Sequence, residues 1–206
     1  MSEGYVRTLF DGYAQTFDNA LRVGLGYQAP ELMLRAVQAA QPGVTFAAAL
    51  DLGCGTGLGG AAFRPLCRTL TGVDLSPAMV AQARSKTIYG RLVEGEAVGF
   101  LRDEAVAQAR YDLVLAADLF GYLDDIAPVL AAAAPLLAPD GLIVFSAETH
   151  DGDDVILRDT LRYAHGVAHV RAALAAAKLT PVSLVSASSR NEKGVAAPGL
   201  IVVAAP

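Results

Sequence analysis

Leu50-Asp51-Leu52-Gly53-Cys54-Gly55-Thr56-Gly57, preceded by the apolar run Phe46-Ala47-Ala48-Ala49, is the stretch on which the fold turns. An apolar run that ends in a glycine-rich turn and continues into a helix-compatible segment, Leu58 to Cys67, is the strand–turn–helix that opens a nucleotide-binding α/β unit. Alternating glycines let the backbone turn at positive φ and let a ligand approach main-chain atoms that a Cβ would shield. Asp51 falls at the C-terminal tip of the strand, where open α/β sheets bind ligands. A carboxylate there repels a pyrophosphate and attracts an ammonium, which favours a ligand with an amino-acid head over a dinucleotide. Cys54 reads as a small residue that fits a tight bend, because nothing near it in sequence would lower its thiol pKa.

Downstream, strands and helices alternate. Leu70 to Leu75 is a second strand ending in an acid, and Ser76-Pro77 supplies an N-cap and a first-turn proline for a helix to about Ser85. Arg91 to Glu94 is a weak third strand, followed by a helix from Glu96 to about Ala109. Tyr111 to Ala116, apolar and β-branched as a buried parallel strand should be, is the fourth. An alanine-rich helix over Asp124 to Leu137 is closed by Pro139-Asp140-Gly141, and Leu142 to Ser146 is the fifth strand. A polar loop, a helix over Val167 to Ala177 and strands over Pro181 to Ala187 and Gly199 to Ala204 complete the chain. This alternation predicts an α/β doubly wound, Rossmann-like parallel sheet. The last two strands, joined without a helix, must pair antiparallel because a parallel crossover needs a longer connection.

Ahead of this core, Tyr5, Leu9, Phe10, Tyr13 and Phe17 recur at roughly helical spacing, as an amphipathic helix packed on the core or as a lid whose aromatics cover a bound ligand. A turn at Gly24 to Gly26 leads to a helix from Pro30 through Ala40, stopped by Pro42-Gly43. The whole reads as a single domain over 1–206, with N-terminal helices over 1–45 and the Rossmann-like core over 46–206.

The chain has 206 residues, 53% of them hydrophobic, which suffices for one substantial core. Its net charge is -5 and Lys and Arg are scattered, so the electrostatic footprint of a nucleic-acid binder is missing. No basic-then-apolar leader and no uninterrupted apolar span is visible, so the expectation is a soluble, cytoplasmic protein without membrane partners. Two cysteines, far from any His pair, make neither a zinc framework nor a disulfide scaffold. The acidic run Asp151-Gly152-Asp153-Asp154 lacks the spacing and closing Glu of a calcium loop and reads as solvated; no metal is expected.

Asp74, ending the second strand beside the first, can accept hydrogen bonds from a ribose hydroxyl pair. Leu75 and Met79 would wall an adenine ring, and Glu96, with the Ala97 N–H beside it, could accept from the adenine amine or simply begin a helix. Gly55-Thr56-Gly57-Leu58-Gly59-Gly60 also contains G-x-G-x-x-G, the dinucleotide fingerprint of NAD-dependent oxidoreductases. That match starts three residues past the predicted strand end, and Asp51 would face the pyrophosphate.

Together these segments resemble the class I S-adenosylmethionine-dependent methyltransferases: 50–57 as motif I, 72–76 as the ribose-binding strand end, Tyr111 to Asp118 as the fourth-strand motif and 136–142 as the turn into strand five. The resemblance implies a seven-stranded sheet of order 3-2-1-4-5-7-6 with strand 7 antiparallel, and S-adenosyl-L-methionine as cofactor, leaving as S-adenosyl-L-homocysteine. It places Asp51, Gly53, Cys54, Gly55, Gly57, Asp74, Leu75, Met79, Glu96, Ala97 and Ala117 around that cofactor, with Tyr13 on the covering helix. Glu96 stands where that superfamily usually has Asp. The segments at 9–18, 25–30 and 162–165 further resemble TPR-associated predicted methyltransferases, here without TPR repeats.

A sulfonium is an activated electrophile, so methyl transfer chiefly requires in-line positioning of a nucleophile and, where needed, its deprotonation. Candidates follow strands four and five: Asp118 and Tyr122, then Glu148 and His150, with His165 and His169 beyond. Tyr122 and His150 are the expected catalytic pair of side chains. The expected function is methyl transfer to an O, N or C nucleophile of a small-molecule acceptor, fairly apolar if the aromatic helix is a lid. A non-catalytic binding or scaffold protein of the same fold is the alternative.

Overall fold

The computed structural model describes the backbone of residues 1–206 and every side chain except those at 22 and 23. Two helices, α1 (Glu3–Tyr13) and α2 (Phe17–Asn19), precede a π-helical turn at Ala20–Gly24 and α3 (Ala29–Ala40). The alternation then begins: β1 (Phe46–Leu52), α4 (Leu58–Phe63), β2 (Cys67–Asp74), α5 (Pro77–Ser85), β3 (Arg91–Glu94), α6 (Ala97–Val106), β4 (Tyr111–Ala116), α7 (Ala127–Ala133) and β5 (Leu137–Glu148). A hairpin of β6 (Val155–Leu157) and β7 (Tyr163–His165) leads to α8 (Val167–Ala176) and β8 (Thr180–Ser186). A small hairpin of β9 (Asn191–Glu192) and β10 (Val195–Ala196) precedes the last strand, β11 (Gly199–Ala205).

The main sheet runs β3-β2-β1-β4-β5-β11-β8. Strands β1 to β5 pair in parallel, whereas β11 is antiparallel to both β5 and β8. Counted over these seven strands, this is the 3-2-1-4-5-7-6 order with an antiparallel seventh. A connection without a helix is too short to carry the chain back to the starting edge, so β11 enters beside β8 in the opposite direction.

Period-two alternation divides the central strands between two cores. Leu50, Leu52, Val114 and Ala116 face α6, α7 and α8, while Ala49, Leu113 and Leu115 face Met33 and Val37 of α3 and Phe63 of α4. Each fully buried Leu or Phe contributes about 1.5–3 kcal/mol, so both faces hold the strand tips in place beneath the glycine turn. At the start of α5, Ser76 Oγ accepts from the Met79 N–H at 3.1 Å with Pro77 in the first turn, as its residue types dictate.

Several segments depart from the expectation. The aromatic N-terminal helix is broken: α1 stops at Tyr13 and the chain turns before α2. The helix expected over 124–137 begins only at Ala127, where the Asp125 carboxylate accepts from the Ala127 N–H at 2.9 Å. It tightens to a 3-10 turn at Ala134–Leu136, because Pro135 lacks the N–H that would continue it. Pro139-Asp140-Gly141 is no helix-closing turn but an irregularity within β5, where pairing jumps from Tyr111–Leu137 to Leu113–Leu142. The hairpins β6–β7 and β9–β10 lie in segments expected to be loops. The second turns at Lys193 and Gly194, both at positive φ, as a tight hairpin turn demands.

Candidate active site

Gly53 and Gly55, at φ +64° and +52°, carry the chain away from the tip of β1, and the Cys54 N–H anchors the turn on Val73 O at 3.0 Å. Asp51 lies beneath this turn with no exposure to solvent. Its Oδ2 accepts a 2.6 Å hydrogen bond from the Tyr89 hydroxyl, while its Oδ1 is buried without a partner. Burial pushes the Asp51 carboxyl up to about 7, although the Tyr89 hydrogen bond works in the opposite direction.

Tyr89 was invisible as a site residue in the sequence. It lies between α5 and β3 and reaches Asp51 through a slot made of glycines. A Cβ at Gly60 would lie 2.2 Å from its hydroxyl, one at Gly72 2.9 Å from its ring and one at Gly57 3.0 Å from its ring. Two of the glycines that spell the dinucleotide-like pattern therefore make room for a protein side chain. Gly57 itself, at φ +91°, caps α4 and does not line the cavity.

Asp74, at the tip of β2, accepts 2.8 Å bonds from the Gly55 and Ser76 backbone N–H groups, one on each carboxylate oxygen. Its orientation is thereby fixed, and each oxygen retains acceptor capacity toward the cavity it lines. Burial raises its pKa, with Asp11 adding to the rise. Glu96 begins α6 and spends both oxygens on the cap, accepting from Val98 N at 2.8 Å and Gly99 N at 2.7 Å, while still bordering the cavity beside Ala97. Burial pushes the Cys54 thiol well above its usual range, with Asp51 and Asp74 adding to it, which keeps it an unreactive filler of the bend.

These groups line one cavity of about 260 Å³, roofed by the N-terminal helices. Polar contacts fasten the roof to the core. Arg7 pairs with Glu94 at 2.6 Å, Asp11 accepts from Ser76 Oγ at 2.5 Å, and Lys86 bridges Asp18 and Thr56 O at 2.7 Å each. Val6, Phe10 and Phe17 face inward. Phe10 stands edge-on to Phe17 at 5.9 Å and to Tyr122 at 5.0 Å, joining the roof to the loop after β4. Tyr13, expected beside the cofactor, ends α1 exposed and outside the cavity, which Phe10 and Phe17 line instead.

At the far end, past β4, Asp118 adopts φ +72° and donates its N–H to Ser146 Oγ at 3.0 Å. Its Oδ1 accepts from Arg162 Nη2, and Arg162 Nε donates in turn to buried Glu148. Arg190 donates to the same Glu148 oxygen at 2.7 Å, and the Arg162 guanidinium lies 4.6 Å over the Tyr122 ring. Burial alone would raise the Glu148 pKa, but Arg162 and Arg190 outweigh it and hold the carboxyl below its ordinary value. For Asp118 burial wins over the two guanidinia and the pKa rises. Tyr27, brought in between α2 and α3, lines the same end, and burial followed by the Asp118 charge holds its phenol well above the usual value.

Of the residues singled out in the sequence, the cavity gathers Asp51, Gly53, Cys54, Gly55, Asp74 and Leu75 at the tips of β1 and β2. Glu96, Ala97, Ala117 and Tyr122 join them. Met79 is fully buried beneath rather than in contact with the cavity. His150 is not brought to it: Nε2 meets Asp154 O at 2.9 Å and Nδ1 accepts from Gly152 N at 3.1 Å, so the ring organises its own acidic loop. His165 is buried against Phe120 O at 3.0 Å and stacks on His169. Tyr27 and Phe17, by contrast, come from the N-terminal segment, whose sequence spacing did not assign their direction.

Residues 50–143 match a family described as a methyltransferase domain. Nodulation protein S of Sinorhizobium fredii is 29% identical over 105 residues, covering 48% of this chain and 46% of that protein. The ubiquinone biosynthesis O-methyltransferase of Thiobacillus denitrificans is 30% identical over 109 residues, covering 52% of this chain and 47% of its own. The chain thus spans about half the length of the curated relatives it matches. Among solved structures, magnesium protoporphyrin IX methyltransferase from Synechocystis PCC 6803 with bound S-adenosylhomocysteine superposes with a TM-score of 0.72 at 18% identity, over 98% of both chains. Among the described residues no helix is long and apolar enough to cross a membrane. Residues 50–143 thus resemble a methyltransferase domain, and the fold of the whole chain is that of solved S-adenosylmethionine-dependent methyltransferases.

Proposed function

We propose that the protein transfers a methyl group from S-adenosyl-L-methionine to a nucleophilic atom of a small-molecule acceptor, within one unit in which residues 1–45 roof a core of residues 46–206. The observation that carries this reading is Asp51 at the tip of β1, a lining residue of the cavity whose fully buried Oδ1 has no hydrogen-bond partner. A buried carboxylate oxygen left bare is costly unless a ligand donor satisfies it, and the cofactor's ammonium is such a donor.

The residues present fit the cofactor. Asp51 would hold its ammonium, the fixed carboxylate of Asp74 its ribose hydroxyls, and Leu75, Glu96 and Ala97 its adenine. Gly53 and Gly55 keep the main chain bare for close approach. When bound, the group supplies an activated methyl on a positively charged sulfur. This chain's own residues then bind and orient: Phe10, Phe17 and Tyr122 exclude water from above, and the ion-paired Asp118 holds the acceptor end. Tyr122 stays in the proposal as an acceptor-side wall, fixed by Phe10 at its edge and Arg162 on its face.

A small-molecule acceptor is supported by the enclosed cavity and by relatives whose names concern a quinone and a porphyrin. The likeness of the 9–18, 25–30 and 162–165 segments to TPR-associated methyltransferases is likewise a proposal. Calorimetry with S-adenosylmethionine and S-adenosylhomocysteine, followed by mass spectrometry of methylated products, tests the reading. Binding of both with methyl transfer to a small molecule is expected; binding without any turnover would favour a non-catalytic protein of the same fold.

A further inference from the structure

Resting on the cofactor reading above, we infer that the acceptor is an amine carried on an apolar or aromatic body, and that Asp118 is the residue that binds its ammonium and takes its proton. The cavity lining holds five acidic residues, Glu3, Asp51, Asp74, Glu96 and Asp118, against two cations, the Arg7 guanidinium, paired with Glu94, and the Met1 ammonium, which meets the Tyr163 hydroxyl. The net charge of the lining is negative, which disfavours an acceptor bearing a carboxylate or phosphate and favours a cation. With Asp51, Asp74 and Glu96 assigned to the cofactor and Glu3 exposed in the first turn of α1, Asp118 is the carboxylate left for the acceptor among the described lining residues.

The surroundings of Asp118 suit that task. One oxygen is tied to Arg162, which Glu148 fixes from behind, and Glu148 is held in turn by Arg190. Gly121 leaves room for the arrangement, since a Cβ there would lie 2.3 Å from the Arg162 guanidinium. The anchoring leaves the second oxygen of Asp118 for a ligand donor. The Tyr122 and Phe10 rings beside it offer faces and edges to an organic cation's body. A partner behind the carboxylate and an apolar wall in front is how a protein aims a charge without solvating it.

The step balances. An ammonium passes one proton to the Asp118 carboxylate, and the freed nitrogen lone pair forms the N–CH₃ bond as the S–CH₃ bond breaks, its electron pair remaining on sulfur. The products are the methylated ammonium, neutral S-adenosylhomocysteine and protonated Asp118, which returns its proton to water. Burial raises the Asp118 pKa, which suits a group that must hold a proton briefly.

Three probes of one shape and different head groups test this: phenethylamine, 2-phenylethanol and 3-phenylpropionate, titrated into the protein saturated with S-adenosylhomocysteine. The amine should bind about tenfold or more tighter than the alcohol, the carboxylate should not bind measurably, and with S-adenosylmethionine the amine should give an N-methylated product. Asp118→Asn keeps a group for Arg162 to bond and should abolish the amine preference while S-adenosylhomocysteine affinity stays unchanged. Equal binding of alcohol and amine, or an intact preference in Asp118→Asn, would overturn the inference and leave the cofactor reading standing. Failure to bind S-adenosylhomocysteine would overturn both.

Discussion

The Tyr89 hydroxyl reaches Asp51 at 2.6 Å by passing through the space that the absent side chains of Gly57, Gly60 and Gly72 leave open. One carboxylate oxygen is thereby held by the protein, and the other is buried without a hydrogen-bond partner. Tyr89 is in this reading a positioning residue: it acts on the cofactor only through Asp51. Tyr89→Phe removes a hydrogen bond to a charged group, an effect of about 1.5–3 kcal/mol. Calorimetry should show S-adenosylmethionine binding weakened about tenfold to a hundredfold at neutral pH. Unchanged affinity would remove Tyr89 from the site.

Because burial pushes Asp51 up to about 7, its ionisation falls within the working range. The proton count gives the sign. With the folded pKa raised above the unfolded value, the folded cofactor-free protein binds more protons between about pH 4 and 7, so its stability falls as pH rises through that window. The cofactor's ammonium favours the ionised carboxylate, so its affinity should rise over the same window. The thermal shift induced by S-adenosylmethionine is therefore expected to grow from pH 5.5 to 8, and the same series on Tyr89→Phe should show its midpoint displaced upward. A shift independent of pH would mean that Asp51 does not meet the ammonium.

Gly60→Ala places a methyl 2.2 Å from the Tyr89 hydroxyl and 2.5 Å from its ring carbon, at a position buried by rigid neighbours. Overpacking of this kind costs about 1–3 kcal/mol. If the clash is with Tyr89, Gly60→Ala combined with Tyr89→Ala should cost less than the sum of the single changes, a non-additivity that chemical denaturation of the four proteins measures. Strict additivity would place the strain elsewhere, with the Leu70 methyl at 3.0 Å the next candidate.

The sheet was legible because its strands carry their own signals. Leu113 to Ala116 is apolar throughout, as a strand buried on both faces must be, and the short helix-free connection before Gly199 forces an antiparallel end. Motif spacing likewise located Asp51 and Asp74, since strand tips lie where ligands bind. What escaped was set by tertiary contact. Nothing local distinguishes Tyr89 from a surface tyrosine; its role exists only because three glycines from three elements converge on it. Tyr13 and Phe10 share one helix, yet only the turn after Tyr13 decides which of them faces the cavity. His150 looked chemically apt after strand five, but Gly152 and Asp154, both close to it in sequence, captured its ring.

The buried ion network makes the strongest prediction about stability. Glu148 is 3% exposed and serves Arg162 and Arg190 together, both nearly as deeply buried. Removing the shared acid by Glu148→Ala leaves Arg162 with Asp118 alone and Arg190 with only the 3.9 Å approach of Glu192, and the loss of a buried partner costs about 3–5 kcal/mol. Asp118→Asn should cost less, because its side chain retains some solvent contact and Asn still offers an oxygen to Arg162. Acid should act in the same order. The Glu148 pKa is lowered on folding, so its contribution is present above the ordinary carboxylate range and is lost as pH falls through the folded value, opposite in sign to Asp51. The gap between wild type and Glu148→Gln in denaturant titrations should therefore narrow as the pH is taken down below the ordinary carboxylate range, since protonated Glu and Gln are both neutral. A gap that stays constant with pH would show that the network stabilises through packing and not through charge.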